Sequence, residues 1–420
     1  MTSAMTPIAS KAAGDAMLCD EPIDLKETHG PLGPDESCEP GADGTPPRAR
    51  TFLGAILCGV ACACGGGGYT GSSGGSNNPP PPPTSATLLY VPNEAAGTLD
   101  ALTIDRQTGI PTPISGSPLP DGPMPRGIAV DPQKRFLYVT SPSGEVRAYL
   151  LDSSTGKLTT MSGSPFLTSA QSVAIAVDPS GQFVLTANGS SNTVSVFEIG
   201  LTGALTEVAG SPFAAGADPS AIVVAAGHYV YAANQVGGSV SAYRIDMTSG
   251  SLTPVAGSPF PVGASPGALV VDPSGTHLYA ADSQPGAVSG FTIDVSTGAL
   301  TAISGSPFPA PNGALSVVTD ASGKLLHIAN GTNVDCYTID ASSGALTPIG
   351  TSVTNGRATA LAVDGPDNFL YALDNVDNQV EVFSIDAASG SLKLIAGNPF
   401  PLFPGSNQQG LGPTSITVAH

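Results

Sequence analysis

The sequence predicts an all-β protein: a seven-bladed β-propeller built from four-stranded antiparallel blades. Three observations predict it. The chain repeats itself seven times at a period of about 47 residues. Each copy holds four short strand-like segments. The two ends of the repeat region carry complementary parts of one copy.

The period is read from a turn, Asp-x-x-[ST]-Gly. Its glycines are Gly109, Gly156, Gly203, Gly250, Gly298, Gly344 and Gly390, spaced by 47, 47, 47, 48, 46 and 46 residues. Aspartate accepts backbone N–H bonds in such a turn, and glycine supplies the positive φ. A second marker, Gly-Ser-Pro-[FL], follows at Ser117, Ser164, Ser211, Ser258 and Ser306. It weakens to Asn398-Pro399-Phe400 in the last copy and is lost near Ser352 in the sixth.

Within a copy, strand a is apolar, as in Ile175-Ala176-Val177, and ends at a turn such as Asp178-Pro179-Ser180-Gly181. Strand b follows, as in Phe136-Leu137-Tyr138-Val139. After a variable loop comes strand c, as in Val194-Ser195-Val196-Phe197, alternating with the period of a half-buried strand. The Asp-x-x-[ST]-Gly turn leads to strand d, such as Leu252-Thr253-Pro254-Val255. Four antiparallel strands at this period signify propeller blades. A solenoid is the rival, but it needs capping repeats. Here the repeat region opens with a strand b (Leu88–Val91) and closes with a lone strand a (Ser415–Val418). Pairing the last with the first closes the ring and removes exposed sheet edges.

Composition agrees. Fifty-two Gly, 40 Pro and only 11% charged residues suit short strands and tight turns rather than long amphipathic helices. A net charge of −19 repels phosphate backbones, which excludes nucleic-acid binding.

The segment before the repeats reads as a targeting region. Residues 1–47 are polar and acidic and are expected to form a disordered leader, with a start codon placed too far upstream as the preferred explanation. Residues 48–64 read as a signal peptide: Arg48 and Arg50 flank an uncharged apolar run ending Ala61-Cys62-Ala63-Cys64. Small residues before Cys64, then Gly65–Gly68, resemble a bacterial lipoprotein signal with Cys64 as the lipidated residue. A plain secretory signal or a short signal anchor is the alternative. Residues 65–84 form a Gly- and Pro-rich tether. The expectation is an exported monomer in the periplasm or at the cell surface, lipid-anchored to the outer membrane, with the propeller spanning residues 85–420. Five of six cysteines precede residue 65, so no disulfide framework is expected.

The Tyr-Val-Thr segment of Phe136–Thr140 and the Val-Asp-Pro-Ser-Gly turns resemble the lactonase-type seven-bladed propellers, which include 6-phosphogluconolactonase and the YVTN-repeat surface proteins. The resemblance covers residues 87–420. It implies the fold and, less directly, lactone hydrolysis.

Strand direction puts the a–b and c–d turns on one regular face. The b–c loops and d–a connections fall on the other and vary between copies, which places any binding site there. Residues just before each strand a surround its mouth: Arg126, Val173, Ser220, Gly267, Leu315, Thr359 and Thr414. Similar lactonases carry Gly-Pro-Arg-His at this position, whereas this chain has Met124-Pro125-Arg126-Gly127. The arginine matches and the histidine does not. Ester hydrolysis needs a base and a cation for the developing oxyanion. Arg126 and Arg357 are the candidate cations. Asp121 and Asp218 are the candidate bases, provided their pKa values are raised. Solvated loop charges and turn chemistry are the bland readings of the same residues.

His228, His277 and His327 fall in three different repeat columns and are expected to be structural. Asp374–Asn378 has oxygen ligands suited to Ca²⁺ but lacks the glycine and terminal glutamate of a calcium loop. No metal or cofactor is expected. Two functions stand: a binding scaffold for a small molecule, glycan or envelope protein, favoured by the missing histidine, and a lactone hydrolase.

Overall fold

Antiparallel pairing sorts the repeats into blades, with strands b buried throughout and Val194–Phe197 of strand c buried at every residue rather than alternately. The structure is a computed structural model and describes residues 86–420, apart from 169–170, 226–227, 285, 311–312, 366–368, 403–414 and 420. The leader, signal and tether assignments, with Cys64, lie outside the described residues, as does Thr414. Seven antiparallel sheets form, each in the order a-b-c-d. Blades are numbered here by their strands b, beginning with Thr87–Asn93. All residues of that strand are buried, because its blade is covered on both faces by neighbours. The core lies between blades. Tyr279, Val288 and Phe308 of blade 5, for example, pack on Leu326, Ile328 and Tyr337 of blade 6.

Ring closure follows the expected route, with a strand that begins two residues later and ends one residue later than expected. The terminal strand Thr417–Ala419 pairs antiparallel with strand b of blade 1, matching Leu88 with Ala419, Leu89 with Val418 and Tyr90 with Thr417. The inter-blade contact has a second component that periodicity alone does not suggest. One column of strand b is a buried tyrosine in five blades. Its hydroxyl donates to the carbonyl of the turn glycine in the next blade: Tyr90 to Gly156 (2.7 Å), Tyr138 to Gly203 (2.9 Å), Tyr231 to Gly298 (3.0 Å) and Tyr279 to Gly344 (2.8 Å). Across the seam, Tyr371 of blade 7 donates to Gly109 of blade 1 at 3.2 Å. Tyr371→Phe keeps the packing and leaves that carbonyl without its donor. It is expected to destabilise the protein by about 1 kcal/mol in urea unfolding. An unchanged midpoint would show that the seam does not depend on this bond.

These turn glycines are needed twice over. Gly298 has φ +75°, and an added Cβ would overlap the Tyr229 ring of the preceding blade. The third copy departs from the turn pattern. Gly200 takes the aspartate's place in a turn one residue shorter, and Gly203 N–H donates to Gly200 O at 2.8 Å.

The four-strand order holds in every blade, and strand d adds a detail. In six blades strand d is split into two pieces, both paired with strand c, as in Leu252–Pro254 and Phe260–Pro261. Gly-Ser-Pro is the interruption. Its serine hydroxyl stands in for a missing ladder carbonyl, accepting from strand c: Ala242 N–H to Ser258 Oγ at 2.9 Å, Gly290 N–H to Ser306 Oγ at 2.9 Å. In blade 7, Asn398 Oδ1 does the same for Val382 N–H at 2.7 Å. Blade 6 lacks the motif, and its strand d runs unbroken over Leu346–Val353.

Candidate functional site

The mouth of the ring is shaped by bulges. In blades 3, 4, 5 and 7 the register between strands a and b shifts at Val173, Ser220, Gly267 and Thr359. The row expected just before strand a therefore lies inside that strand, as its bulged residue. A bulge leaves one residue unpaired and re-aims its side chain. In blade 2 the corresponding residue is Arg126, whose N–H donates to Thr140 O at 2.9 Å. Strand a resumes there at Ile128–Val130.

A cavity of about 500 Å³ opens at this mouth. Arg126, Val173, Asp218, Ser220, Gln235 and Ser415 are among its lining residues. Below it, a second space of about 390 Å³ follows the axis between strands a. Ile128 and Ile175 line both. The lower space is bordered by residues such as Val130, Val177, Val224 and Val271, with no charged side chain among them.

Of the four candidates, the structure brings Arg126 and Asp218 together. Arg126 Nε donates to Glu94 Oε2 at 3.1 Å; the Glu94 side chain is 2% exposed and that of Arg126 38%. A buried carboxylate thus holds the guanidinium at the cavity wall. Ser415, in the closing segment, donates its hydroxyl to the Arg126 carbonyl, so ring closure also buttresses this residue. Asp218 sits at φ +56°, in the left-handed region that side chains rarely adopt. Two loops hold it there. Its N–H donates to Asn192 Oδ1 at 2.8 Å, and its carbonyl accepts from Gln235 N–H at 2.8 Å. An added Cβ at Gly189 would lie 2.6 Å from Asp218 Oδ1. Backbone strain held by neighbouring structure is a recurrent feature of functional sites.

Arg357 and Asp121 are placed elsewhere. Arg357 is exposed on the connection entering strand a of blade 7 and does not line this cavity. Asp121 is 3% exposed. It accepts a hydrogen bond from the Tyr149 hydroxyl and pairs with Arg147 at 3.5 Å. Rather than facing a substrate, it fastens the connection that leads to Arg126. Burial pushes its carboxyl up to about 6, against the pull of Tyr149 and Arg147. Asp121 thus has a raised pKa but does not line the cavity.

That shift has a measurable consequence. The folded pKa lies above the ordinary 3.8, so the folded protein keeps a proton that the unfolded chain releases. Stability contributed by this group is present below pH 3.8 and is lost as pH rises through about 6. The change is at most about 3 kcal/mol. Asp121→Asn is expected to flatten this stretch of the unfolding-versus-pH curve. A curve identical to wild type would mean that another group causes the slope.

Polar residues that the repeats share fasten the connections. The last residue of strand b and the third of strand c form a buried polar pair, such as Asn234 with Ser241 (3.0 Å) and Asp282 with Ser289 (2.9 Å). Gly216 N–H, in the connection from blade 3, donates to both Asn234 Oδ1 and Ser241 Oγ at 3.1 Å. In blade 7 the pair is Asp374 and Glu381. Glu381 accepts Asn355 and Gly356 N–H, while burial raises its pKa. Asp374 Oδ1 accepts Val376 and Asp377 N–H, a local turn. Among the described residues no group of three or more His, Cys, Asp or Glu is arranged to hold a metal.

The histidines lie away from the mouth cavity. His277 pairs with Asp272 at 3.2 Å. His327 occupies the tyrosine column of blade 6, with Nδ1 3.4 Å from Cys336 Sγ. Burial lowers the His327 pKa to about 4 and raises that of Cys336 to about 12, so both are neutral. The sequence reading missed Glu94, Gln235 and Ser415. Glu94 and Gln235 are single polar residues in variable b–c loops, and Glu94 meets Arg126 across 32 positions of chain. Nothing local to either announces a role.

Fold and cavity together define the class: a closed seven-bladed propeller with one cation and one carboxylate at its axial mouth. A family model described as Lactonase, 7-bladed beta-propeller matches residues 90–212, 208–318 and 305–401. The chain belongs to that family. No curated protein sequence matches it. Among solved structures it is similar to a proposed 6-phosphogluconolactonase from Bacteroides uniformis, with 18% identity and a TM-score of 0.69, covering 80% of this chain and 100% of the other. It is also similar to a periplasmic gluconolactonase from Pseudomonas aeruginosa, with 18% identity and a TM-score of 0.67, covering 80% and 99%. At this identity the likeness is one of fold.

Proposed function

We propose that the chain is an exported, membrane-tethered propeller whose mouth cavity binds a small lactone and opens its ring. One observation carries this reading: Arg126 and Asp218 line one cavity, with the arginine held by a buried glutamate. In the reaction, Asp218 takes a proton from water as the water oxygen bonds to the lactone carbonyl carbon. Arg126 stabilises the oxyanion that develops. The ring C–O bond then breaks, and the departing alkoxide takes the proton back from Asp218, giving a hydroxy acid. Family membership supports the ester chemistry. Residues 48–64 support export, and the Pseudomonas neighbour shows that gluconolactone chemistry occurs in a periplasm.

A second reading is favoured by Gly127, which stands where similar lactonases carry histidine. On it, the mouth binds a glycan or an envelope protein without catalysis. Titrating acid release from a panel of lactones distinguishes the two. Asp218→Asn is expected to lower kcat by about 10²–10³-fold with little change in KM. Ligand-induced stabilisation without acid release would establish the binding reading instead.

A further inference from the structure

We infer that this mouth accepts uncharged lactones and rejects phosphorylated ones, with Glu94 and Asp218 setting that preference. The inference rests on the lactone reading above and narrows it to a substrate class.

The charges at the cavity carry the argument. Among the described residues Arg126 is the single cation on its lining, and Asp218 is an anion on the same lining. Arg126 is also committed at Nε to Glu94, whose carboxylate is almost wholly buried behind it. A guanidinium paired with a buried carboxylate still donates hydrogen bonds to a neutral carbonyl, but its net field on an approaching anion is small. Counting Glu94, the described residues at this cavity carry two negative charges and one positive. A phosphate seated there meets like charge with no surplus cation to offset its lost hydration.

The space beyond the ring subsite leads the same way. A substituent reaching past Ile128 and Ile175 enters the axial space, where no charged side chain lines the wall. A buried phosphate needs several donors or cations. Arg357, the other cation considered for this role, does not line the cavity. The whole chain, at net −19, adds a repulsive field for anions approaching from solution.

Two substitutions remove negative charge at the mouth while keeping side-chain size. Glu94→Gln keeps a hydrogen-bond acceptor for Arg126 Nε while removing the compensating charge. Asp218→Asn removes the second anion without altering size. Calorimetric titration of the purified full chain would use γ-gluconolactone and its phosphorylated form as probes, with circular dichroism confirming each variant's fold. Wild type is expected to bind the phosphorylated probe at least about tenfold more weakly than the neutral one. Glu94→Gln and Asp218→Asn are each expected to narrow that gap, mainly by tightening the phosphorylated probe. Should Glu94→Gln fail to fold, Asp218→Asn, on the cavity wall, carries the comparison. Equal or tighter wild-type binding of the phosphorylated probe overturns the inference and leaves the lactone reading standing. Binding of neither probe removes both.

Discussion

Arg126→Ala is expected to lower kcat/KM for lactone hydrolysis by about 10²–10³-fold, the range seen when one oxyanion donor is removed from a hydrolase. The effect is large because, among the described residues, Arg126 is the one cation lining the cavity. Truncation also leaves Glu94 buried with its charge unpaired, which costs stability as well as activity. Arg126→Lys separates the two effects. It restores a positive charge but cannot keep the planar donor set that holds Glu94 and a carbonyl together. It is expected to recover part of kcat/KM while KM stays raised. Initial rates of acid release give both parameters. An Arg126→Ala enzyme retaining wild-type kcat/KM would remove the oxyanion role.

The second large effect concerns the end of the chain. Ending the protein before Ser415 removes the strand Thr417–Ala419 and its three pairings with strand b of blade 1. That strand carries Leu88, Leu89 and Tyr90, each fully buried in the closed ring. Opening it exposes apolar surface and an unpaired edge, the arrangement that templates aggregation. The expected loss is about 4 kcal/mol or more, counting lost ladder bonds at roughly 1 kcal/mol each and newly exposed apolar area. The truncated protein should melt lower and associate on size-exclusion chromatography. It should also lose activity in any fraction that stays folded, because Ser415 supports the Arg126 carbonyl. A truncated chain that melts with the full-length protein and stays monomeric would mean that the ring does not depend on this strand.

Much of the fold could be read in the sequence because a closed repeat is a local property copied seven times. The spacing of the turn glycines set the blade count, and the orphan strand at the end set the closure. Ser258 and its counterparts were visible as a motif, though their work was not. A hydroxyl that accepts a strand c N–H across a break in strand d becomes apparent only when both strands are placed. The tyrosine column was equally visible and equally silent, since Tyr371 meets Gly109 across 262 positions of chain.

The site divided differently. Arg126 stood out because a neighbouring motif matched, and Asp218 because it lay in a variable connection beside proline. Both reach the cavity. Asp121 looked like Asp218 by the same criteria, yet Arg147 and Tyr149, on strand c of the next blade, bury it. Arg357 lay two residues from its row, but it does not line the cavity.

The sequence by itself therefore determined the number of blades, their strand order and the face that varies, because turn chemistry and hydrophobic alternation act within a few residues. Only the tertiary structure decided which charges share a cavity and which are buried in pairs. Those outcomes depend on bulges, connection paths and contacts between different blades, where the energy of a charge is set by neighbours that lie far from it in the chain.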